Sequence, residues 1–93
     1  MTTALRLGLH VRGRVQGVGY RAATRTQARA LGLEGWVRNE PDGTVTVVAE
    51  GSRDDLRSLL EACEEGPPSA RVDRVEATWG DATGEFSGFD IQR

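Results

Sequence analysis

Residues 13–21, Gly-Arg-Val-Gln-Gly-Val-Gly-Tyr-Arg, form a glycine-rich stretch between a predicted strand and a predicted helix. Before it, residues 5–11 alternate apolar and polar side chains, the period of two that is typical of a half-buried strand. After it, residues 21–31 are rich in Ala, Arg and Gln, which favour helix, and Gly32 follows as the expected C′ residue. The stretch is therefore predicted to be a loop that leads from the first strand into the first helix.

A hairpin and a second helix are predicted in the middle of the chain. Residues 35–39 and 45–49 have strand character, and the Glu-Pro-Asp-Gly segment at 40–43 between them is typical of a turn. Ser52 and Asp55 then form a capping box ahead of apolar residues spaced at helical intervals. The apolar stripe predicts a helix that packs against the core.

The end of the chain completes the predicted order of elements. Residues 75–79 alternate as a fourth strand, residues 80–88 have no clear pattern, and Phe89 with Ile91 indicates a short last strand. The order βαββαβ predicts an α+β fold of the ferredoxin-like, split βαβ kind, an antiparallel sheet with two helices on one face. We expect residues 1–93 to form a single domain, because the length suits one core.

Charge, cysteine content and hydropathy limit the classes of function. The net charge is −2, yet residues 1–38 hold seven arginines against one acidic residue, so positive charge gathers in the first half. Cys63 is the single cysteine, which suits a reducing compartment. Residues 1–6 lack the features of an export signal, and no apolar run reaches the roughly 18 residues of a membrane span. We expect a cytoplasmic protein that does not enter membranes.

The loop has the chemistry of an anion site. Gly17 and Gly19 permit unusual backbone angles, and Arg21 on the first helical turn can donate two parallel hydrogen bonds to phosphate oxygens. A tight glycine turn with a solvated arginine explains the same residues, and composition alone does not decide between the two. Residues 17–22 also fit a loose dinucleotide-binding pattern, but that fold needs a larger parallel sheet, and a Walker A loop needs a lysine.

Residues 13–21 closely resemble the signature of the acylphosphatase family, and residues 35–39 (Gly-Trp-Val-Arg-Asn) with 43–45 (Gly-Thr-Val) resemble its second motif. The likeness extends over nearly the whole chain. It implies an enzyme that hydrolyses small acyl phosphates as a monomer, without metal or cofactor. By this resemblance Arg21 is the phosphate-binding arginine and Asn39 orients the attacking water. The implied phosphate cradle is the backbone of Gln16, Gly17, Val18, Gly19, Tyr20 and Arg21.

The implied site contains no evident general base. Asn39 can hold a water by hydrogen bonds but cannot take its proton at neutral pH, and neither His10 nor Cys63 is expected to be catalytic. An acyl phosphate tolerates this lack, because its carboxylate leaving group departs without protonation and phosphoryl transfer depends mainly on positioning and charge. The proton is expected to pass to the phosphate, and ordinary phosphate monoesters are expected to be poor substrates.

Other functions of the same fold stay as alternatives. RNA-binding modules need aromatic residues on the central strands, where this chain has none, and Tyr20, Trp36 and Trp79 are expected in the core. A metal carrier would need paired cysteines in the first loop. A regulatory ligand-sensing domain, or a non-catalytic module that binds phosphate or carbamoyl phosphate within a larger enzyme, remains the rival class. Chain length favours a free-standing enzyme.

Overall fold

Seven elements follow one another in the order that the sequence predicts. The structure is a computed structural model and describes residues 4–93; residues 1–3, part of the stretch from which no export signal is expected, lie outside the described residues. The elements are β1 (Leu5–Arg14), α1 (Tyr20–Ala30), β2 (Glu34–Asn39), β3 (Val45–Gly51), α2 (Arg53–Glu65), β4 (Arg71–Asp81) and β5 (Phe89–Gln92). The ferredoxin-like α+β prediction is confirmed.

The five strands form one sheet in the order β4-β1-β3-β2-β5. The first four pair antiparallel, with Leu7 of β1 opposite Ala49 of β3. The prediction of an antiparallel sheet is wrong for β5, which pairs parallel to β2 with Phe89 opposite Gly35. The reason is the connection at residues 82–88, which carries the chain from β4 at one edge to the free side of β2 at the other. The sheet is therefore mixed.

One face of the sheet carries the core and both helices. Helix α1 packs over β2 and β5, and α2 packs over β4, β1 and β3, so apolar strand residues alternate inward beneath them. The fully buried side chains include Leu7, Leu9, Val11, Val45, Val47, Leu56 and Leu59. The opposite face, which we call the open face, carries charged and polar side chains such as Arg6, His10, Thr46 and Glu76.

The helix ends follow the local signals in the sequence. Ser52 is the N-cap of α2, and its Oγ accepts a hydrogen bond from the Asp55 amide at 3.2 Å. At the end of α1, Gly32 has φ of 70° and its amide donates to the Arg29 carbonyl at 3.1 Å. Both predicted boundaries are confirmed.

The aromatic residues divide between core and surface. Tyr20 is buried as expected, but the expectation that Trp36 lies in the core is wrong. Trp36 is half-buried on the open face, where the Arg38 guanidinium lies 4.7 Å from its ring centre. The expectation that Trp79 lies in the core is wrong, because its side chain is 38% exposed. It belongs to the edge strand β4, which has a neighbouring strand on one side only, and the Arg53 guanidinium lies 5.7 Å from its ring centre.

The connection at residues 82–88, which has no clear sequence pattern, is held to the sheet by Glu50. This β3 carboxylate is only 7% exposed and accepts hydrogen bonds from the Thr83 amide at 2.8 Å, the Gly84 amide at 3.0 Å and Arg6 Nε at 2.8 Å. Burial opposes its ionisation, but these hydrogen bonds outweigh the burial and hold the pKa of Glu50 below its ordinary value. Phe86 lies under the Arg6 guanidinium, 4.9 Å from it.

Candidate active site

The anion loop, residues 16–21, runs from the end of β1 into the first turn of α1. Gly17 and Gly19 have φ of 73° and 79°, a backbone region that residues with a side chain rarely adopt. Gly19 is the N-cap of α1, no side chain caps that end, and the first turn contains no acidic residue. The first amides of the helix therefore keep donors for an anion, at the positive end of the helix dipole.

Side chains on both sides of the anion loop hold it in place. Val15 and Tyr20 are 1% and 2% exposed, and the Tyr20 hydroxyl donates to the Cys63 carbonyl at 2.7 Å. Burial raises the pKa of the Tyr20 hydroxyl, so it stays neutral. The Ser69 hydroxyl donates to the Val18 carbonyl at 2.8 Å. The loop is thus packed and bonded in one conformation, as preorganised anion binding requires.

Arg21 is the last residue of the anion loop, and it lines a surface groove of about 390 Å³. Six other arginines pair with carboxylates in residues 4–93, namely Arg6, Arg12, Arg29, Arg38, Arg71 and Arg74. Arg21 is not among them, so its guanidinium keeps its donors for a ligand. The groove is lined by Val15, Gly17, Gly19, Tyr20, Arg21, Ala22, Ile91 and Arg93.

The side chain of Gln16 connects the anion loop to the β2–β3 hairpin. Its Nε2 donates to the carbonyl of Glu40 at 2.8 Å and to the carbonyl of Thr44 at 2.9 Å. Asn39, which ends β2 immediately before Glu40, pairs with Val45 on the face of the sheet that carries the core. The bonds from Gln16 thus join the loop to the end of the hairpin that bears Asn39.

The Asn39 side chain has an unused acceptor. Its Oδ1 is buried and accepts no hydrogen bond from any residue within 4–93. A buried oxygen without a donor costs roughly 1–3 kcal/mol, so a donor that reaches it is bound favourably. Because the oxygen is buried, a water reaches it only if neighbouring groups shift.

Groups that could take a proton lie elsewhere. Within residues 4–93, the lining of the groove includes no Asp, Glu or His side chain. His10 is on the open face, where its Nε2 lies 2.8 Å from Thr44 Oγ1. Cys63 is buried, and burial raises the pKa of its thiol to about 11. The carboxylate of Glu40 is bonded to Arg38 and Thr46. The groove beside Arg21 is thus lined by no side chain suited to act as a general base.

Other candidate sites in the described part of the chain have different chemistry. A groove of about 420 Å³ between the helices, lined in part by Thr24, Cys63, Glu65 and Pro67, contains no basic side chain. No group of three or more His, Cys, Asp or Glu side chains in residues 4–93 is arranged to hold a metal ion. No helix in that range is long and apolar enough to cross a membrane. Of these two grooves in residues 4–93, the groove beside Arg21 is the one suited to a phosphate.

Four features of the site were missing from the sequence-based prediction. Ile91 and Arg93 line the groove, although they lie some 70 residues after the loop, because β5 pairs parallel to β2. Neither the brace formed by the Gln16 side chain nor the Ser69 contact has a local sequence signal.

The fold and the loop together define a class: a ferredoxin-like α+β protein with an anion-binding loop at a helix N-terminus. Comparison with known proteins narrows that class. The acylphosphatase family model matches residues 7–91. An acylphosphatase of Salinibacter ruber is 52% identical over 91 residues, which cover 98% of this chain and 96% of the relative. The chain belongs to the acylphosphatase family.

Solved structures agree with this assignment. The crystal structure of an acylphosphatase from Bacillus subtilis matches with a TM-score of 0.92 and 36% identity, covering 96% of this chain and 99% of that one. HypF of T. kodakarensis matches with a TM-score of 0.80 and 31% identity over all of this chain, which is 12% of HypF. The same fold thus occurs both as a chain of this length and as a small part of a larger protein.

Proposed function

We propose that this chain hydrolyses the carboxyl–phosphate bond of acyl phosphates, with the phosphate held by the backbone amides of residues 16–21 and by the Arg21 side chain. The observation that carries the proposal is the pairing of an uncapped helix start with an arginine that no carboxylate neutralises, in a member of the acylphosphatase family. Both groups stabilise negative charge, and the packed loop does so without rearrangement.

Asn39 orients the attacking water in this proposal. The water attacks phosphorus in line with the acyl oxygen, the P–O bond to that oxygen breaks, and the carboxylate leaves with the electron pair. One proton of the water passes to an oxygen of the new phosphate, so no protein base is needed. Membership of the acylphosphatase family supports this role, as do the hydrogen bonds by which Gln16 joins the anion loop to the hairpin end that bears Asn39.

The leaving group sets the substrate class. A carboxylate departs unprotonated at neutral pH, whereas the alkoxide of an ordinary phosphate monoester needs an acid that the lining of the groove does not supply. We expect the acyl part to be accepted broadly, because the loop contacts the phosphate end.

The chain acts in this proposal as a single domain and a monomer in the cytoplasm, on a small molecule and not on nucleic acid. Among residues 4–93, Trp79 is the one large apolar side chain that is exposed, which leaves little surface for a stable dimer. The free thiol of Cys63 suits a reducing compartment. The open-face positions of β1 and β3 carry no aromatic residue for stacking bases.

A phosphate-release assay tests the proposal. The purified protein is incubated with benzoyl phosphate and a chelator, and p-nitrophenyl phosphate serves as the monoester control. We expect catalytic release of phosphate from benzoyl phosphate and little from the monoester. Binding of inorganic phosphate without any turnover would instead support the rival, a non-catalytic module for phosphate or carbamoyl phosphate.

A further inference from the structure

The side chain of Gln16 lies between the two halves of the proposed site. We propose that this amide is a positioning residue, which sets the distance between the phosphate held by the anion loop and the water oriented by Asn39. The inference rests on the proposed function and extends it, because it gives the Gln16 side chain a role distinct from that of its backbone amide.

The contacts of Gln16 cross from one chain segment to another. Both N–H groups of its Nε2 are engaged, one by the Glu40 carbonyl at 2.8 Å and the other by the Thr44 carbonyl at 2.9 Å. These carbonyls belong to the two arms of the hairpin, directly beyond the pair formed by Asn39 and Val45. An amide with two fixed acceptors has a fixed direction, so the loop and the hairpin end cannot shift independently.

The hairpin itself does not depend on Gln16. The Glu40 amide donates to the Thr44 carbonyl at 2.8 Å, and the Gly43 amide donates to the Glu40 carbonyl at 3.1 Å. Asp42 Oδ1 accepts from the Thr44 amide at 3.0 Å and from its hydroxyl at 2.6 Å. If Gln16 loses its amide, each carbonyl therefore keeps one donor and the turn keeps its shape. What is lost with the Gln16 amide is the fixed alignment of the anion loop relative to the hairpin.

A change in this alignment should affect kcat and the affinity for phosphate differently. Phosphate binds to the loop amides and Arg21, all of which lie on the Gln16 side of the brace, so its affinity should change little. The attack depends on the distance from the water at Asn39 to phosphorus, and a misplacement of about 1 Å can reduce turnover on the order of 100-fold. The two hydrogen bonds of the Gln16 side chain should therefore influence kcat more than the binding of phosphate.

Two substitutions at Gln16 and one matched control test the proposal. Gln16→Met keeps the length but has no donor, and Gln16→Glu keeps the shape but places an acceptor against two carbonyl oxygens. Gln27→Met, at an exposed position of α1 outside the groove beside Arg21, is the control. For each variant, kcat with benzoyl phosphate, Ki for inorganic phosphate and thermal unfolding are measured.

We expect Gln16→Met to lose about tenfold or more in kcat while its Ki for phosphate stays within about twofold of that of the unsubstituted protein. Gln16→Glu should regain kcat relative to Gln16→Met as the pH falls, because the protonated carboxyl can donate one hydrogen bond. In an Asn39→Ala background, Gln16→Met should add little further loss, because both act on the same water. Gln27→Met should match the unsubstituted protein.

Three results would overturn the proposal. One is an unchanged kcat in folded Gln16→Met, another is a parallel loss of kcat and phosphate affinity, and the third is full additivity with Asn39→Ala. If the unsubstituted protein releases no phosphate from benzoyl phosphate, the proposed function fails and the inference fails with it. A normal rate in the unsubstituted protein together with an unchanged Gln16→Met removes the inference alone.

Discussion

At the scale of single residues, Arg21 combines two features: it has no carboxylate partner within residues 4–93, and it lies on the first turn of α1. Six other arginines in residues 4–93 are paired with acids, whereas Arg21 lines the groove beside the uncapped start of α1. A guanidinium in that place can form bidentate hydrogen bonds with a phosphate, a geometry that a lysine cannot supply.

Replacing Arg21 should therefore remove most of the activity but change the stability of the fold little. We expect Arg21→Ala to lower kcat/KM for benzoyl phosphate by about 100- to 1000-fold, in line with the loss of one preorganised donor. Arg57→Ala, at an exposed position on α2, is the matched control and should keep full activity. A folded Arg21→Ala protein with near-normal turnover would exclude the proposed role of this arginine.

The roles of single residues were only partly accessible from the sequence. The roles of Arg21 and Asn39 follow from resemblance to a family. Without that resemblance, a glycine turn with a solvated arginine explains the loop residues equally well. The Gln16 side chain was not selected, since its acceptors at Glu40 and Thr44 are backbone carbonyls and backbone carbonyls are the same for every residue type. Contacts of this kind depend on the tertiary fold.

At the scale of elements, the anion loop depends on the backbone of Gly19. This residue has φ of 79°, and a Cβ added there would meet no atom within 4 Å. Gly19→Ala is thus strained without a clash, and we expect it to destabilise the protein by about 1–2 kcal/mol. The altered helix start should also weaken phosphate binding.

The matched control for Gly19→Ala is Gly80→Ala. Gly80 is exposed on β4, its φ lies outside the positive range, and a Cβ there also meets nothing within 4 Å. Urea unfolding and phosphate inhibition of both variants provide the comparison. Equal stability and equal Ki in the two variants would contradict the importance of the positive φ at Gly19.

Local patterns predicted the elements better than their pairing. The period of two in β1 and the capping box of α2 correspond to real strands and helices, because both signals are carried by neighbouring residues. The parallel pairing of β5 was not predicted, since it depends on residues 82–88 crossing to the far edge of the sheet. Trp79 was misplaced for a related reason, as sequence does not reveal which strand lies at an edge.

At the scale of the whole molecule, Glu50 joins the two ends of the chain. It receives hydrogen bonds from Arg6 of the first strand and from the backbone of Thr83 and Gly84 after the fourth. The pKa of Glu50 is lower in the folded protein than its ordinary value of 4.5. Its contribution to stability is therefore complete above the pKa of the unfolded chain and is lost as the pH falls through the folded pKa.

Acidic pH should thus lower the free energy of unfolding, because Glu50 becomes protonated. We expect Glu50→Gln to destabilise the protein at neutral pH by about 1–3 kcal/mol, because the new amide group cannot accept the hydrogen bond that the Gly84 amide donates to Oε1. The variant should lose less stability than the unsubstituted protein on acidification. Glu61→Gln, exposed on α2, is the control. Parallel pH dependence in Glu50→Gln and the unsubstituted protein would contradict this assignment.

The proposed site depends on the folded sheet, in which Gln16 joins the anion loop to the hairpin end after Asn39 and the last strand contributes Ile91 to the groove beside Arg21. Hydrolysis of benzoyl phosphate in water enriched in the heavy oxygen isotope tests that arrangement most directly. If the water attacks phosphorus as proposed, the label incorporated above the protein-free background appears in inorganic phosphate and not in benzoate. Label in benzoate, or no release above background, would contradict the proposed site.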